Sequence, residues 1–210
     1  MLKTRLYHLI NVLGALVLLI VLIPLMALVA LAIRLGSPGS AVFKQKRVGQ
    51  FDQYFILYKF RTMLVGMPDL PSDMVRKDDQ RFTRLGKLLR RLSIDELPQL
   101  FNIIKGDMNF IGPRPALYNQ DELIRIRRQA GINLLKPGVT GWAQINGRDN
   151  ISLERKVELD KYYLENRSFW LDLRILWLTL VKSFCGADLY SNETGFDEPS
   201  SAEDKRSSSM

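Results

Sequence analysis

The chain has 210 residues, a formal net charge of +8 and a pI near 9.7, which gives room for one modest domain with a stable core plus accessory segments. A single cysteine, Cys185, excludes an internal disulfide. A single histidine, His8, excludes a Cys/His zinc site and would force any Ser-His-Asp triad to use a residue at the edge of an apolar run. Any metal must therefore be hard and oxygen-bound, and the basic balance points to an anionic partner: nucleic acid, anionic lipid headgroups or phosphorylated small molecules.

Residues 9–33 are 25 uncharged positions, flanked by Lys3 and Arg5 before and Arg34 after. A helix crosses a bilayer with roughly 20 such residues. The run is too long for a secretory signal and lacks a small-residue cleavage site. Pro24 removes one backbone hydrogen bond and predicts a kink. Two topologies follow: a kinked span, or a helix that bends and returns to the side it entered. Length favours the span. The basic residues on both flanks, with Lys44, Lys46 and Arg47 further on, give no clean orientation and suit the return.

Ser37-Pro38-Gly39-Ser40 breaks the chain. Two β-prone runs, 42–48 and 54–60, joined across Gly49-Gln50, predict a hairpin. Residues 67–79 are polar with two prolines and read as a loop. Leu85, Leu88, Leu89 and Leu92 then recur at helical spacing, with Lys87, Arg90 and Arg91 opposite. Ser93-Ile94-Asp95-Glu96 has the form of a capping box, with Leu97, Leu100, Phe101 and Ile104 behind it. It predicts a helix from Ser93 to about Gly106, with Pro98 in the first turn. Gly112-Pro113-Arg114-Pro115 must be a rigid non-helical turn, 121–130 a charged helix, Lys136-Pro137-Gly138 another loop, and 153–167 a helix. In 169–184, Trp170 and Trp177 lie among Asp172, Arg174 and Lys182. The apolar stretch is too short to span and predicts an interfacial helix in the headgroup layer. From Ser191 the tail is serine-rich with a net charge of −3, and disorder is expected there.

Between Arg34 and Leu92 there are thirteen Lys/Arg against five Asp/Glu. No interleaved exposed aromatics or recognition helix accompany them, so phosphorylated substrate and an anionic lipid bilayer are the expected partners, and nucleic acid is not. Lys44, Lys46 and Arg47 read equally well as side chains snorkelling at the interface. Within this basic setting, Asp95-Glu96 has an ordinary use, since acids in a first turn stabilise the helix dipole. It also has a chemical one. An aspartate can attack phosphorus and carry the phosphoryl group covalently, and of two adjacent carboxylates one can bind Mg²⁺ while the other reacts. Transfer from a pyrophosphate also needs cations about the phosphoryl oxygens; Lys59, Arg61, Arg90, Arg91, Arg114 and Arg148 are available.

Four runs appear in order: Lys59-Phe60-Arg61-Thr62-Met63; Ser93 through Asn102 (SIDELPQLFN); Gly106-Asp107-Met108 with Ile111-Gly112-Pro113-Arg114-Pro115; and Pro137 through Arg148 (PGVTGWAQINGR). Together they closely resemble the bacterial sugar transferase family, the monotopic polyprenyl-phosphate phosphoglycosyl transferases, over nearly all of residues 1–185. The length is similar to that of small members consisting of the catalytic domain alone. The resemblance implies an α+β, mostly helical monotopic membrane protein. It would have a re-entrant helix in 1–36 broken at Pro24, a cytoplasmic catalytic domain in 37–190 with a β-hairpin and interfacial amphipathic helices, and a tail in 191–210. A serine often precedes the family's proline, where this chain has Ile23, and the hairpin turn keeps only Gly49 of a commonly glycine-rich loop.

By the same resemblance, Asp95 attacks the β-phosphate of a UDP-sugar, releases UMP and holds the sugar phosphate, which a polyprenyl (undecaprenyl) phosphate then takes. Glu96 assists with Mg²⁺ or proton transfer, Asp95 and Glu96 being the metal-binding pair. Lys59, Arg61, Arg90 and Arg114 hold phosphate groups, and Arg148 faces the nucleotide. The implied location is the bacterial cytoplasmic membrane, with the site on its cytoplasmic face and a homo-oligomer or downstream glycosyltransferases as further partners. Two alternatives are a membrane-tethered nucleotide-sugar hydrolase using water as acceptor, and a non-catalytic scaffold whose Asp95-Glu96 merely caps a helix.

Overall fold

The computed structural model describes residues 2–66, 81–147 and 151–185. The loop expected at 67–79, Arg148 and the tail from 191 lie outside them. The chain is α+β and mainly helical. Helix α1 (Leu2–Gly36) is followed by strands β1 (Val42–Val48) and β2 (Tyr54–Phe60), helices α2 (Arg84–Arg91) and α3 (Gln99–Lys105), and strand β3 (Asn109–Ile111). Helix α4 (Asp121–Gln129), strand β4 (Gly138–Thr140) and helices α5 (Trp142–Ile145), α6 (Leu153–Asn166) and α7 (Phe169–Cys185) complete the order.

Pro24 lies inside α1 without ending it. One stripe of this helix, Ala15, Leu19, Leu22, Met26, Val29 and Ile33, recurs every three or four residues and packs into two core clusters. The first holds Leu57, Leu100, Ile103 and Met108; the second holds Phe60 and Leu89. The stripe continues toward the N-terminus in polar contacts. Asn11 Oδ1 accepts from the Phe110 amide at 2.8 Å, and the Tyr7 hydroxyl donates to Asp172 at 3.1 Å. Away from the stripe, Ile10, Leu13, Val17, Ile20, Val21, Leu28 and Leu31 are exposed. Among the described residues α1 is the one helix long and apolar enough to cross a membrane, yet one side of it is part of the core.

The hairpin forms over the residues expected, antiparallel, with Val42 opposite Phe60 and Val48 opposite Tyr54. Its connection is longer than Gly49-Gln50 alone. A 3-10 turn at Gln50–Asp52 places Phe51 and Asp52 in the left-handed region. The Asp52 carboxylate accepts from Arg128 at 2.8 Å and Asn133 at 3.0 Å, which anchors that conformation against α4 and the segment after it.

A two-stranded parallel pairing of β3 with β4 was not expected, because its glycines and prolines read as loop signals. Those glycines mark close approach of backbones instead. A Cβ on Gly138 would lie 2.1 Å from the Gly112 amide nitrogen, and one on Gly141 would lie 2.1 Å from the Gly112 carbonyl oxygen. Helices α4 and α6 form as read, with Ser152 capping α6 through the Arg155 amide. In α7, Ile175 is fully buried while Phe169, Trp170, Leu173, Trp177 and Leu180 are exposed. One face of α7 is therefore core and the other apolar and open. Asp172 ties this helix to two others, accepting from Tyr7 of α1 and, at 2.7 Å, from Tyr163 of α6.

Candidate active site

The segment holding Asp95 is built differently from its sequence pattern. Helix α2 starts at Thr83, whose hydroxyl accepts from the Gly86 amide at 2.9 Å. A Cβ on Gly86 would lie 2.0 Å from the Thr62 carbonyl oxygen, so α2 seats directly on the segment leading out of the hairpin. The helix closes at Leu92, and Ser93 follows in the left-handed conformation, φ 56°. The expected capping box is therefore corrected. Ser93 makes no side-chain cap and occupies the residue just past the end of α2, a position that favours left-handed backbone. Residues Ile94–Glu96 form a 3-10 turn, Leu97 and Pro98 continue with right-handed helical angles, and α3 begins at Gln99. The helical run ends at Gly106, φ 84°, as expected.

This turn directs the two acids to different environments. Glu96 Oε1 meets Lys59 Nζ at 2.8 Å and Arg114 Nη1 at 3.3 Å. Asp95 is buried, 6 % exposed, and forms no ion pair among the described residues. Burial raises the pKa of its carboxyl and the neighbouring Glu96 charge adds to the rise; Lys59, Arg90 and Arg114 act in the opposite sense. Burial lowers the pKa of the Lys59 ammonium, and Glu96 opposes this. Lys59 is supplied by the end of β2, Arg90 by the end of α2 and Arg114 by the turn after β3. The Arg90 guanidinium also stacks on Phe82, 5.1 Å from the ring centroid.

Asn102, in the same sequence run as Asp95, joins α3 to β2. Its Oδ1 accepts from the Tyr58 amide at 3.0 Å, and its Nδ2 donates to the Ile56 carbonyl at 2.7 Å. Lys59, the next residue along β2, is thereby fixed relative to the turn. Two basic residues have other occupations than those expected. The Arg61 guanidinium is buried against the break after α1, donating to the Ser37 carbonyl and hydroxyl at 2.8 Å each and to the Pro38 carbonyl. Arg47, read as a snorkelling side chain, is buried and donates to the Pro115 carbonyl at 2.9 Å. The structure thus brings Lys59, Arg90, Arg114, Asp95 and Glu96 together, turns Arg61 to the loop, and does not describe Arg148.

Sequence reasoning also passed over Arg127 and Asp160, a buried ion pair at 2.6 Å whose arginine donates to the Arg114 carbonyl. The signal that could have marked it is Arg127 standing in register with the apolar positions Leu123 and Ile124 of an otherwise charged helix.

Adjacent carboxylates beside Lys59, Arg90 and Arg114, on an α+β frame with one long apolar helix, are an arrangement suited to binding anionic groups. The sequence profile of the bacterial sugar transferase family matches residues 2–186. The chain is 50% identical over 150 residues to the uncharacterized sugar transferase EpsL of Bacillus subtilis, covering 71% of this chain and 72% of EpsL. It is 39% identical over 167 residues to the UDP-glucose:undecaprenyl-phosphate glucose-1-phosphate transferase of Escherichia coli, covering 76% of this chain and 36% of that protein. It is 39% identical over 176 residues to the UDP-N-acetylgalactosamine-undecaprenyl-phosphate N-acetylgalactosaminephosphotransferase of Aeromonas hydrophila, covering 81% of this chain and 42% of that protein. The alignment thus takes in less than half the length of these last two relatives. The chain belongs to the bacterial sugar transferase family.

Proposed function

We propose that this chain transfers a sugar 1-phosphate from a UDP-sugar to a polyprenyl phosphate in two displacements at Asp95. In the first, an Asp95 carboxylate oxygen attacks the β-phosphorus. The new P–O bond forms as the bond from that phosphorus to the bridging oxygen breaks, and the electron pair leaves on UMP. In the second, a phosphate oxygen of the polyprenyl phosphate attacks the same phosphorus and the bond to Asp95 breaks. The products are polyprenyl-diphosphate-sugar and the free carboxylate.

The observation that carries this reading is the unequal treatment of two adjacent acids. Glu96 is tied to Lys59 and Arg114, whereas Asp95 is enclosed beside the same cations without an ion pair among the described residues. A nucleophile needs such a setting, held near positive charge yet not consumed by it. Mg²⁺ fits the donor set. Among the described residues no cluster of three His, Cys, Asp or Glu surrounds the site, and this ion is commonly held by one or two carboxylates plus substrate phosphates. Asp95 and Glu96 would hold it, and when bound it would neutralise charge on the phosphoryl oxygens. Lys59, Arg90 and Arg114 serve the same charge from the protein side.

The chain is further read as entering one leaflet and returning, with the site on the cytoplasmic face. Ala15 and Met26, eleven residues and about 16 Å apart along a helix, are both buried against the domain that carries Lys59 and Glu96. An upright span would draw that domain, including the buried Asn102 and Asp95, into the hydrocarbon, where polar groups are expensive. The outward apolar faces of α1 and α7 suit a bilayer surface instead. With Cys185 changed to Ser, single cysteines at Lys3 and Ser40 are expected to react with an impermeant maleimide from the same side of sealed vesicles. Labelling from opposite sides would establish a span.

Incubating the detergent-purified protein with Mg²⁺ and a panel of UDP-sugars, without acceptor, tests the chemistry. Intact-mass analysis is expected to show one sugar-phosphate adduct with the right donor, discharged by polyprenyl phosphate. An adduct that persists in Asp95→Asn would place the nucleophile elsewhere.

A further inference from the structure

Behind the Glu96–Arg114 contact lies a second layer of buried charge. Arg127 on α4 is 8 % exposed and Asp160 on α6 is 1 % exposed, so both are out of reach of a substrate. Arg127 Nε and Nη2 donate to Asp160 Oδ2 at 3.1 and 2.6 Å, and Nη1 donates to the carbonyl oxygen of Arg114 at 2.7 Å. A second buried guanidinium, that of Arg47 on β1, reaches the next carbonyl, Pro115, and is itself oriented by Gln45 Oε1 at 2.9 Å from its Nε.

The turn needs such outside donors. Pro113 and Pro115 have no N–H, so the segment cannot build a regular ladder, and its enclosed carbonyls must be satisfied from elsewhere. All four carbonyls from 113 to 116 are. Pro113 accepts from the Gly138 amide at 3.0 Å, Arg114 from Arg127, Pro115 from Arg47, and Ala116 from the Val48 amide at 2.9 Å. The donors come from β4, α4 and β1, so the backbone that launches the Arg114 side chain is fixed from three sides. A buried ion pair is a poor device for stability alone, since a well-packed apolar pair often serves as well. An apolar pair could not donate to the Arg114 carbonyl.

We propose that Arg127, held by Asp160, is a positioning residue for sugar-phosphate transfer. It fixes the backbone at Arg114 so that the Arg114 guanidinium and the Glu96 carboxylate stand in register with the phosphates at Asp95, and Arg47 anchors the same turn from the hairpin. This inference rests on the reading of Asp95 as nucleophile.

The test is a double-mutant cycle between Arg127→Lys and Arg114→Ala, read as the single-turnover rate of adduct formation with Mg²⁺ and the UDP-sugar the protein accepts. Lysine keeps the charge but gathers its donors on one nitrogen, so it cannot span Asp160 and the carbonyl from three separate nitrogens as the planar guanidinium does. Arg127→Lys is expected to slow the step about tenfold, with a melting temperature within a few degrees of the parent, and Arg114→Ala about a hundredfold. The double variant is expected to be no slower than Arg114→Ala, because positioning has no value once the positioned group is gone. A wild-type rate in Arg127→Lys, or losses that multiply in the double variant, would overturn the proposal. If Arg127→Lys does not fold, Arg47→Lys is read in the same cycle. If the parent forms no adduct with any donor, the nucleophile reading fails. Affinity for UDP-glucose and UDP-N-acetylgalactosamine with Mg²⁺, measured on the same four proteins, then decides positioning by the same non-additivity.

Discussion

At Asp160 a buried carboxylate takes a buried guanidinium directly, at 2.6 Å. At Asp95 a similarly enclosed carboxylate sits near Lys59, Arg90 and Arg114 and pairs with none of them among the described residues. The ingredients are the same and the uses diverge. The saturated acid at Asp160 is spent on architecture, orienting Arg127 toward the Arg114 carbonyl. At Asp95 the charge is left uncommitted because Glu96, one residue on, absorbs Lys59 and Arg114. On the proposed mechanism, the acid left over from the pairing is the one that reacts.

The sharpest way to break this contrast is to neutralise one acid at a time. Asp95→Asn is expected to lower transfer to polyprenyl phosphate by at least about 10³-fold while leaving the thermal melt close to the parent's, measured by lipid-linked product formation. Asp160→Ala is expected to act chiefly on stability and to slow transfer only about tenfold, through the loss of the anchor that holds Arg127. Stranding the buried Arg127 costs about 3–5 kcal/mol of stability, read as a large drop in melting temperature. Glu96→Gln lies between them, slowing the first displacement about 10²-fold, because Lys59 and Arg114 lose the charge that arranges them.

The contrast also has a pH signature. Burial raises the folded-state pKa of Asp95, so its contribution to stability is present below the ordinary aspartate value and is lost as pH rises through the folded one. Reactivity runs the other way, appearing as the carboxylate forms. The acid limb of adduct formation should therefore fall above the ordinary aspartate value of about 3.9, measured by single-turnover rates across pH. The smallest effect is expected far from the site. Tyr7→Phe removes one hydrogen bond to Asp172, which costs about 1 kcal/mol and leaves adduct formation unchanged.

Where the sequence signals were local, they carried through. The hairpin strands, Val42–Val48 and Tyr54–Phe60, were legible as β-prone runs, α2 as leucines at helical spacing, and α4, α6 and α7 as helices over 121–130, 153–167 and 169–184. The signals failed where two elements compete for one residue. Ser93 satisfies a capping pattern for the helical run after it, but α2 ends first and takes it as a left-handed terminator. The β3–β4 pairing was hidden because Gly112, Gly138 and Gly141 are read locally as turns, while their purpose is contact between segments distant in sequence. Arg47 and Arg127 fell to the same cause. A charged residue on an amphipathic strand or helix reads as solvated unless its distant partners, the Pro115 and Arg114 carbonyls, are in view. Lys59, Asp95, Glu96 and Arg114 were legible because they stand in sequence runs that resemble a family; the division of labour between the two acids was not.

That division is tested most directly by peptide mapping of the protein after exposure to Mg²⁺ and its UDP-sugar without acceptor. The predicted result is a sugar-phosphate group on the peptide bearing Asp95 and Glu96, with fragment ions placing it on Asp95, and its loss on adding polyprenyl phosphate. A modification on Glu96, or turnover to lipid-linked product with no modified peptide under single-turnover conditions, would contradict the account.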